Sequence, residues 1–137
     1  MTFSRMMEQM QYALNGKILF IECGAFYIAR GKDAILVNKL IGLKLNCLGQ
    51  GVCKVGFPKN AVEKYANLLK EKKYSFVIYK INEETQILEK VMDYKGEYLN
   101  ELKDNSLDCT LCKAGEYSQE NKYSKALEEL KKQQKNN

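Results

Sequence analysis

The sequence predicts an α/β domain, a mixed sheet flanked by helices, followed by a charged C-terminal helix. Short β-branched and aromatic runs alternate with segments of helical periodicity, and 137 residues is a usual length for one domain plus an appendage. A hydrophobic content of 45% is sufficient for a core. We divide the chain into an N-terminal amphipathic helix (1–15), a domain (16–96) and a helical, charged extension (97–137).

The individual elements follow from periodicity and turn residues. Residues 2–14 place apolar side chains, three of them Met, at helical spacing. The run 17–23 predicts a buried strand that Gly24 bends and residues 26–28 resume. The remaining elements are a helix capped by Asp33, strands at 43–47 and 52–55, a helix after Gly56-Phe57-Pro58, and a hairpin of strands 74–81 and 86–94.

The C-terminal extension differs in composition from the domain. Residues 97–104 are expected to form a short helix and residues 105–115 a loop. Residues 118–134 predict a highly charged helix with few apolar positions, which needs a surface or partner to pack against.

Positive charge is concentrated in the middle of the chain. The formal net charge is +5, but residues 28–80 carry eleven basic and three acidic side chains, for +8, whereas residues 81–137 sum to −3. Such a basic stretch favours contact with phosphate backbones. The alternative is that lysine is simply the solubilising residue here, with Lys70, Lys72 and Lys73 ending a solvated helix.

The sequence contains little that indicates catalysis. The chain has no His, so imidazole cannot serve as a base, ligand or pH switch, and a thiol nucleophile would lack its usual partner. No P-loop, GxSxG, HExxH or GxGxxG motif is present. We therefore expect no enzyme and no cofactor. Because no apolar run reaches about 18 residues and no secretory signal is read, we expect no membrane contact and a cytoplasmic location.

The five cysteines are expected to be mostly free thiols in a reducing compartment. Cys109-Thr-Leu-Cys112 could hold half of a zinc site, but Cys47 and Cys53 lie in predicted strands at a spacing that fits no zinc ribbon. A redox CxxC opens a helix after a strand, whereas this one lies in a predicted loop. Structural or incidental thiols, and no metal site, are the prediction.

The run Gly24-Ala25-Phe26-Tyr27 is the most informative position. Aromatic side chains directly after a flexible Gly, at the end of a buried strand, can project from a sheet edge, and Arg30 and Lys32 follow closely. An exposed ring among cations is suited to stacking on a base or wedging between base steps. The alternative is that Phe26 packs in the core and Tyr27 shields an edge.

At these residues the chain resembles the first, mismatch-recognising domain of the MutS family of DNA repair proteins. The family's Gly-Asp-Phe-Tyr-Glu, followed after four residues by Asp-Ala, stands here as Gly-Ala-Phe-Tyr-Ile at 24–28 and Asp-Ala at 33–34. The family's Ala-Gly-Ile-Pro-Tyr-His-Ala stands here as Val-Gly-Phe-Pro-Lys-Asn-Ala at 55–61, before a helix with Tyr65. The resemblance covers residues 16–95.

The resemblance implies that Phe26 inserts from the minor groove and stacks beside a mispaired base. The family's Glu, which hydrogen-bonds the displaced base, is replaced by Ile28, as it is also lost in some eukaryotic homologues whose partner subunit does the wedging. Without a Walker motif, ATP-driven repair is not expected of this chain alone. Stand-alone domains that resemble it are known in bacteria and mobile elements, and similar small proteins accompany reverse transcriptases.

We therefore expect a non-enzymatic module that binds distorted or mismatched duplex DNA or an RNA–DNA hybrid. The expected wedge is Phe26 with Tyr27, and the expected phosphate contacts are Arg30, Lys32, Lys54 and Lys59. The alternative is an interaction scaffold that docks on a polymerase, a reverse transcriptase or a second copy of itself, through the Met-rich first helix or residues 118–134.

Overall fold

A mixed sheet of six strands is covered by one helix on one face and by two helices on the other. The computed structural model describes residues 3–49 and 52–102 of the chain. The helices are α1 (Phe3–Leu14), α2 (Lys32–Ile41) and α3 (Val62–Glu71), the last preceded by a 3-10 turn at Lys59–Ala61. The strands are β1 (Ile18–Cys23), β2 (Phe26–Arg30), β3 (Asn46–Gly49), β4 (Val52–Pro58), β5 (Phe76–Ile81) and β6 (Leu88–Tyr94).

The strand order is β3-β4-β2-β1-β5-β6, with β1 and β5 parallel and every other neighbouring pair antiparallel. This confirms the predicted mixed α/β sheet. The predicted bend at Gly24 is a hairpin instead: β1 and β2 run antiparallel, with Cys23 opposite Phe26. On its other side β2 pairs with β4, from Phe26 opposite Pro58 to Arg30 opposite Lys54.

The two faces of the sheet are set by the alternation of side chains along each strand. On β1, Phe20 packs with the helices α2 and α3, whereas its neighbour Ile21 packs under α1 against Met7. The same alternation on β2 sends Tyr27 to the α2/α3 face and Ile28 to the α1 face. Because β2 is regular, Phe26 and Arg30 also belong to the α1 face.

Asp33 is not the cap of α2 that the sequence predicts. Gly31 occupies the cap position without a side-chain bond, and the Asp33 carboxylate points into the protein. There it accepts hydrogen bonds from the Leu19 backbone N–H at 3.1 Å and from the Asn100 side-chain amide at 2.7 Å. Asp33 therefore ties the start of α2 to the central strand rather than to its own helix.

The segment after β6 continues the domain instead of starting the predicted helix at 97–104. The Tyr98 N–H donates to the Lys73 carbonyl and its own carbonyl accepts from the Ser75 N–H, both at 2.9 Å, and residues 97–102 are not helical. Gly96 allows this approach, since a Cβ there would lie 2.3 Å from the Lys73 oxygen. The contacts of the domain thus extend past residue 96, just as Met7 of α1 extends them before residue 16.

The thiols of the described residues differ in state. Cys23 is an exposed free thiol, whereas Cys53 is buried and disulfide-bonded, an exception to the prediction of mostly free thiols. Residues 3–49 and 52–102 contain no group of three side chains able to hold a metal ion. The pair Cys109/Cys112 and the predicted helix at 118–134 lie outside the described residues.

No helix within the part of the chain that the structure describes is long and apolar enough to cross a membrane.

Candidate nucleic-acid interface

Phe26 projects from the sheet at the start of β2, with 48% of the residue exposed. It is preceded by the two-residue turn Gly24-Ala25, in which Gly24 adopts a φ of +61° that glycine tolerates without strain. The ring lies beyond Ile28, which is buried under α1. The core alternative for Phe26 is therefore wrong, and its side chain is accessible to a ligand.

On the same face of the sheet, the residues of β4 beside this ring have no long side chains. Gly56 of β4 lies opposite Ile28, and a Cβ at Gly56 would approach the Ile28 Cγ2 atom to 3.2 Å. Pro58 lies opposite Phe26 and is exposed. Since glycine and proline rise little above the strand, a flat ligand can approach the Phe26 ring without meeting a long side chain.

Lys59, a predicted phosphate contact, braces the turn that carries Phe26. Its backbone N–H donates to the Ala25 carbonyl at 3.0 Å, and its ammonium donates to a Glu22 carboxylate oxygen at 2.6 Å. The other Glu22 oxygen accepts the Ile81 N–H at 3.1 Å. The bond from Lys59 is the main reason that the pKa of Glu22 is lowered, and it raises the pKa of Lys59.

Tyr27 faces the opposite side of the sheet and Arg30 is covered by α1, which corrects two further predictions. Tyr27 is 6% exposed and its ring packs 5.8 Å from Phe57 in the core, because strand alternation turns it to the α2/α3 face. Arg30 is also 6% exposed, and its guanidinium donates to the Gln11 side chain of α1 at 3.4 Å. Neither side chain is positioned to contact a base or a phosphate directly.

Lys54 and Lys32 are the remaining predicted cations, and both lie at the Arg30 end of β2. Lys54 is half-buried on β4, opposite Arg30 and hence on the α1 face, and it makes no ion pair with any described residue. Lys32 is half-buried at the start of α2. Lys44 is an exposed cation that the sequence reasoning missed, although its place between the core-packed Leu43 and Leu45 marks it as outward-facing.

The basic stretch is divided between the two faces of the sheet. Lys39 on α2, and Lys64, Lys70 and Lys72 at α3, belong to elements packed on the face opposite to Phe26. The +8 balance of residues 28–80 therefore does not form one patch. We call the surface of Phe26, Gly56, Pro58 and Lys54 the wedge face.

The length of β2 sets the scale of the wedge face. Phe26 and the Arg30–Lys54 pair are four residues apart along the strand, or about 13 Å at about 3.3 Å per residue. That distance matches about four base steps of B-form DNA at about 3.4 Å each. Ile28 and Arg30 of β2 are buried under α1, whereas Gly56 and Lys54 of the neighbouring β4 are half-buried and Pro58 is exposed. A duplex can therefore reach the ring and the Lys54 ammonium together along β4 and not along β2.

Comparison with known proteins identifies the family of the chain. A family model described as MutS domain I matches residues 2–99, which includes α1 and the segment after β6. No curated protein matches the chain. MutS domain I is a non-catalytic recognition domain of DNA mismatch repair, and DNA binding is general in the family. With more than half of its length matched, the chain belongs to the MutS domain I family.

Proposed function

We propose that this chain binds distorted or mismatched duplex nucleic acid, DNA or an RNA–DNA hybrid, with Phe26 as an aromatic wedge. The supporting observation is the half-exposed Phe26 ring on a braced turn, beside the low surface of Gly56 and Pro58. Lys54 and Lys32 are the proposed phosphate contacts, and Lys59 holds the turn.

The energetics favour distorted over regular duplex. Stacking of one base on an aromatic side chain contributes about 1–3 kcal/mol. Wedging between base steps costs unstacking energy, and this cost is lower where pairing is already broken. Lysine contacts add a salt-dependent term that is independent of sequence. For one small module we expect binding in the micromolar range at moderate salt.

The residues around Phe26 imply that the protein selects duplexes that are easily deformed and does not select a particular base. Its described neighbours on the wedge face are Cys23, Ile28, Gly56 and Pro58, and none carries a charged or amide side chain. Ile28 is buried against α1 and offers no hydrogen bond to a displaced base. We therefore expect unpaired and looped nucleotides to be preferred with little regard to which base is displaced.

The test is a fluorescence anisotropy titration of wild type and Phe26→Ala against mismatched, looped and perfect duplexes. Phe26→Ala should bind the two distorted duplexes at least about fivefold more weakly, with little change for the perfect duplex. Ile87→Ala, which removes an exposed apolar side chain from the β5–β6 turn, is the matched control. Equal affinity of wild type and Phe26→Ala for all three duplexes would remove the wedge.

The scaffold alternative predicts a different outcome in the same experiment. A stable oligomer that shows no salt-sensitive binding to any of the duplexes would favour docking on a protein or on a second copy of the chain.

A further inference from the structure

A second site lies beside α1, apart from Phe26. A cavity of about 450 Å³ opens between α1 and the start of α2. Its walls carry one aromatic ring, three cationic or anionic groups and two side-chain amides: Tyr12, Arg5, Lys32, Glu8, Gln9 and Gln11. Of these residues only Lys32 has a part in the function proposed above, as a phosphate contact.

Tyr12 is the most exposed large hydrophobic residue in the part of the chain that the structure describes, at 90%. Arg5, Glu8 and Tyr12 follow one another at spacings of three and four residues, so they form one stripe on the outer flank of α1. The ring buries almost no surface in the fold and therefore contributes little to its stability. At the cavity, the ring is accessible for a flat ligand to stack on.

The cavity is also backed by a buried positive charge. Gln11 lines the cavity and accepts a hydrogen bond from Arg30, whose backbone carbonyl in turn accepts the Gln11 side-chain amide at 2.9 Å. The Arg30 Nε atom is buried and has no hydrogen-bond partner among the described residues. Three cations, Arg5, Lys32 and this guanidinium, outnumber the Glu8 carboxylate on the wall and the buried Asp33 carboxyl that faces Gln11, so the balance of charge favours an anionic ligand.

The chemistry of the cavity points to a nucleotide. An aromatic platform, side-chain amides and cations are the groups that recognise the flat ring, the polar edge and the phosphate of an unpaired nucleotide. We propose that the cavity binds a nucleotide of a single strand that adjoins the distorted duplex, stacked on Tyr12 with its phosphate near Lys32. This inference rests on the proposed function for the class of ligand.

The position of the cavity fits that role. Arg30, which contacts Gln11, and Phe26 lie at opposite ends of β2 on the same face of the sheet, about 13 Å apart at about 3.3 Å per residue. Since α1 covers Ile28 between them, a nucleic-acid strand that leaves the wedge reaches the cavity by running over α1, along a path longer than that distance. The preferred target is then a duplex distortion next to a single-stranded segment, such as a gap, a flap or a fork.

The experiment compares a looped duplex with the same duplex carrying a single-stranded oligothymidine tail of about eight nucleotides, on either strand. For wild type and for the control Ile87→Ala, the tail on one strand should tighten binding at least about fivefold. Tyr12→Ala should lose that gain, and Tyr12→Phe, which keeps a stacking ring, should retain it. Since Tyr12 is outside the core, both variants should fold as wild type does.

The outcomes separate this inference from the proposed wedge. If Phe26→Ala binds the looped duplex as tightly as wild type while Tyr12→Ala loses the gain from the tail, the wedge fails and the cavity stands. A tail that gives wild type no gain on either strand, or a gain that Tyr12→Ala retains in full, overturns the cavity as a nucleotide site.

Discussion

The buried carboxyl of Asp33 predicts an unusual dependence of stability on pH. Burial raises the pKa of Asp33 from 3.8 to about 6, and the hydrogen bonds from Asn100 and Leu19 only partly oppose that effect. A raised pKa means that the folded state holds this proton more tightly than the unfolded chain does. The stability from Asp33 is therefore fully present below pH 3.8 and is lost as the pH rises through about 6.

The size of this loss of stability follows from the difference between the pKa values of Asp33 in the folded and unfolded states. A difference of about two pKa units corresponds to about 3 kcal/mol in the free energy of unfolding, of which about 2 kcal/mol is lost between pH 4.5 and 7.5. The lowered pKa values of Glu22 and Asp93 act in the opposite direction, since the stability that they give is lost as the pH falls. A comparison with an Asp33 variant cancels those contributions.

The assay is urea unfolding of wild type and Asp33→Asn across that pH range. The variant cannot titrate at this position. Its amide has only one accepting oxygen, so either the Leu19 N–H or the Asn100 amide loses its acceptor, at a pH-independent cost of about 1–3 kcal/mol. The free energy of unfolding of wild type should fall relative to the variant by about 2 kcal/mol from pH 4.5 to 7.5. Parallel profiles would refute the assignment of a raised pKa to Asp33.

Three further substitutions test the packing and charge of the site. Gly96→Ala should lower the free energy of unfolding, measured with urea, by about 1–3 kcal/mol, because the added Cβ would lie 2.3 Å from the Lys73 carbonyl oxygen. Unchanged stability would contradict this close approach. Ile28→Glu should cost about 2–5 kcal/mol by the same measurement, because the carboxylate replaces a side chain packed under α1, and a neutral result would mean that this position opens to solvent. Lys54→Gln should reduce the slope of log affinity for the looped duplex against log salt concentration by about one. Lys72→Gln, on the opposite face of the sheet, should leave that slope unchanged. Equal slopes for the two variants would exclude Lys54 as a phosphate contact.

Much of the fold could be predicted because periodicity and turn residues act locally. The first helix at 2–14 and the hairpin of 74–81 with 86–94 differ from the observed elements by only a few residues. Composition could not show that Gly24-Ala25 reverses the chain. A bend and a two-residue hairpin use the same glycine, and only pairing with distant strands distinguishes them.

The roles of Lys59 and Arg30 at the site were harder to predict than the fold, because each depends on a contact with a residue distant in sequence. Lys59 reads as a free cation, but Glu22, on a distant strand, pairs with it. Arg30 reads as a surface cation beside Lys32, but the alternation along β2 directs it under α1 to Gln11. For Phe26 the sequence left exposure and core packing open, and the hairpin turn at Gly24-Ala25 is what exposes the ring.

Tyr12 illustrates the limit of helical periodicity as a guide. The spacing of apolar side chains in α1 identifies Met7 as a core position, and by the same rule it leaves Tyr12 on the polar side. That rule says nothing of the start of α2, which the fold brings beside α1 to form the cavity.

The most direct test of the wedge is the fluorescence of 2-aminopurine placed at the unpaired position of a looped duplex, measured at saturating protein. Wild type should change the emission, because insertion of Phe26 alters the stacking of that base, and saturated Phe26→Ala should leave the emission as it is in the free duplex. The same change in emission with both proteins would contradict the wedge.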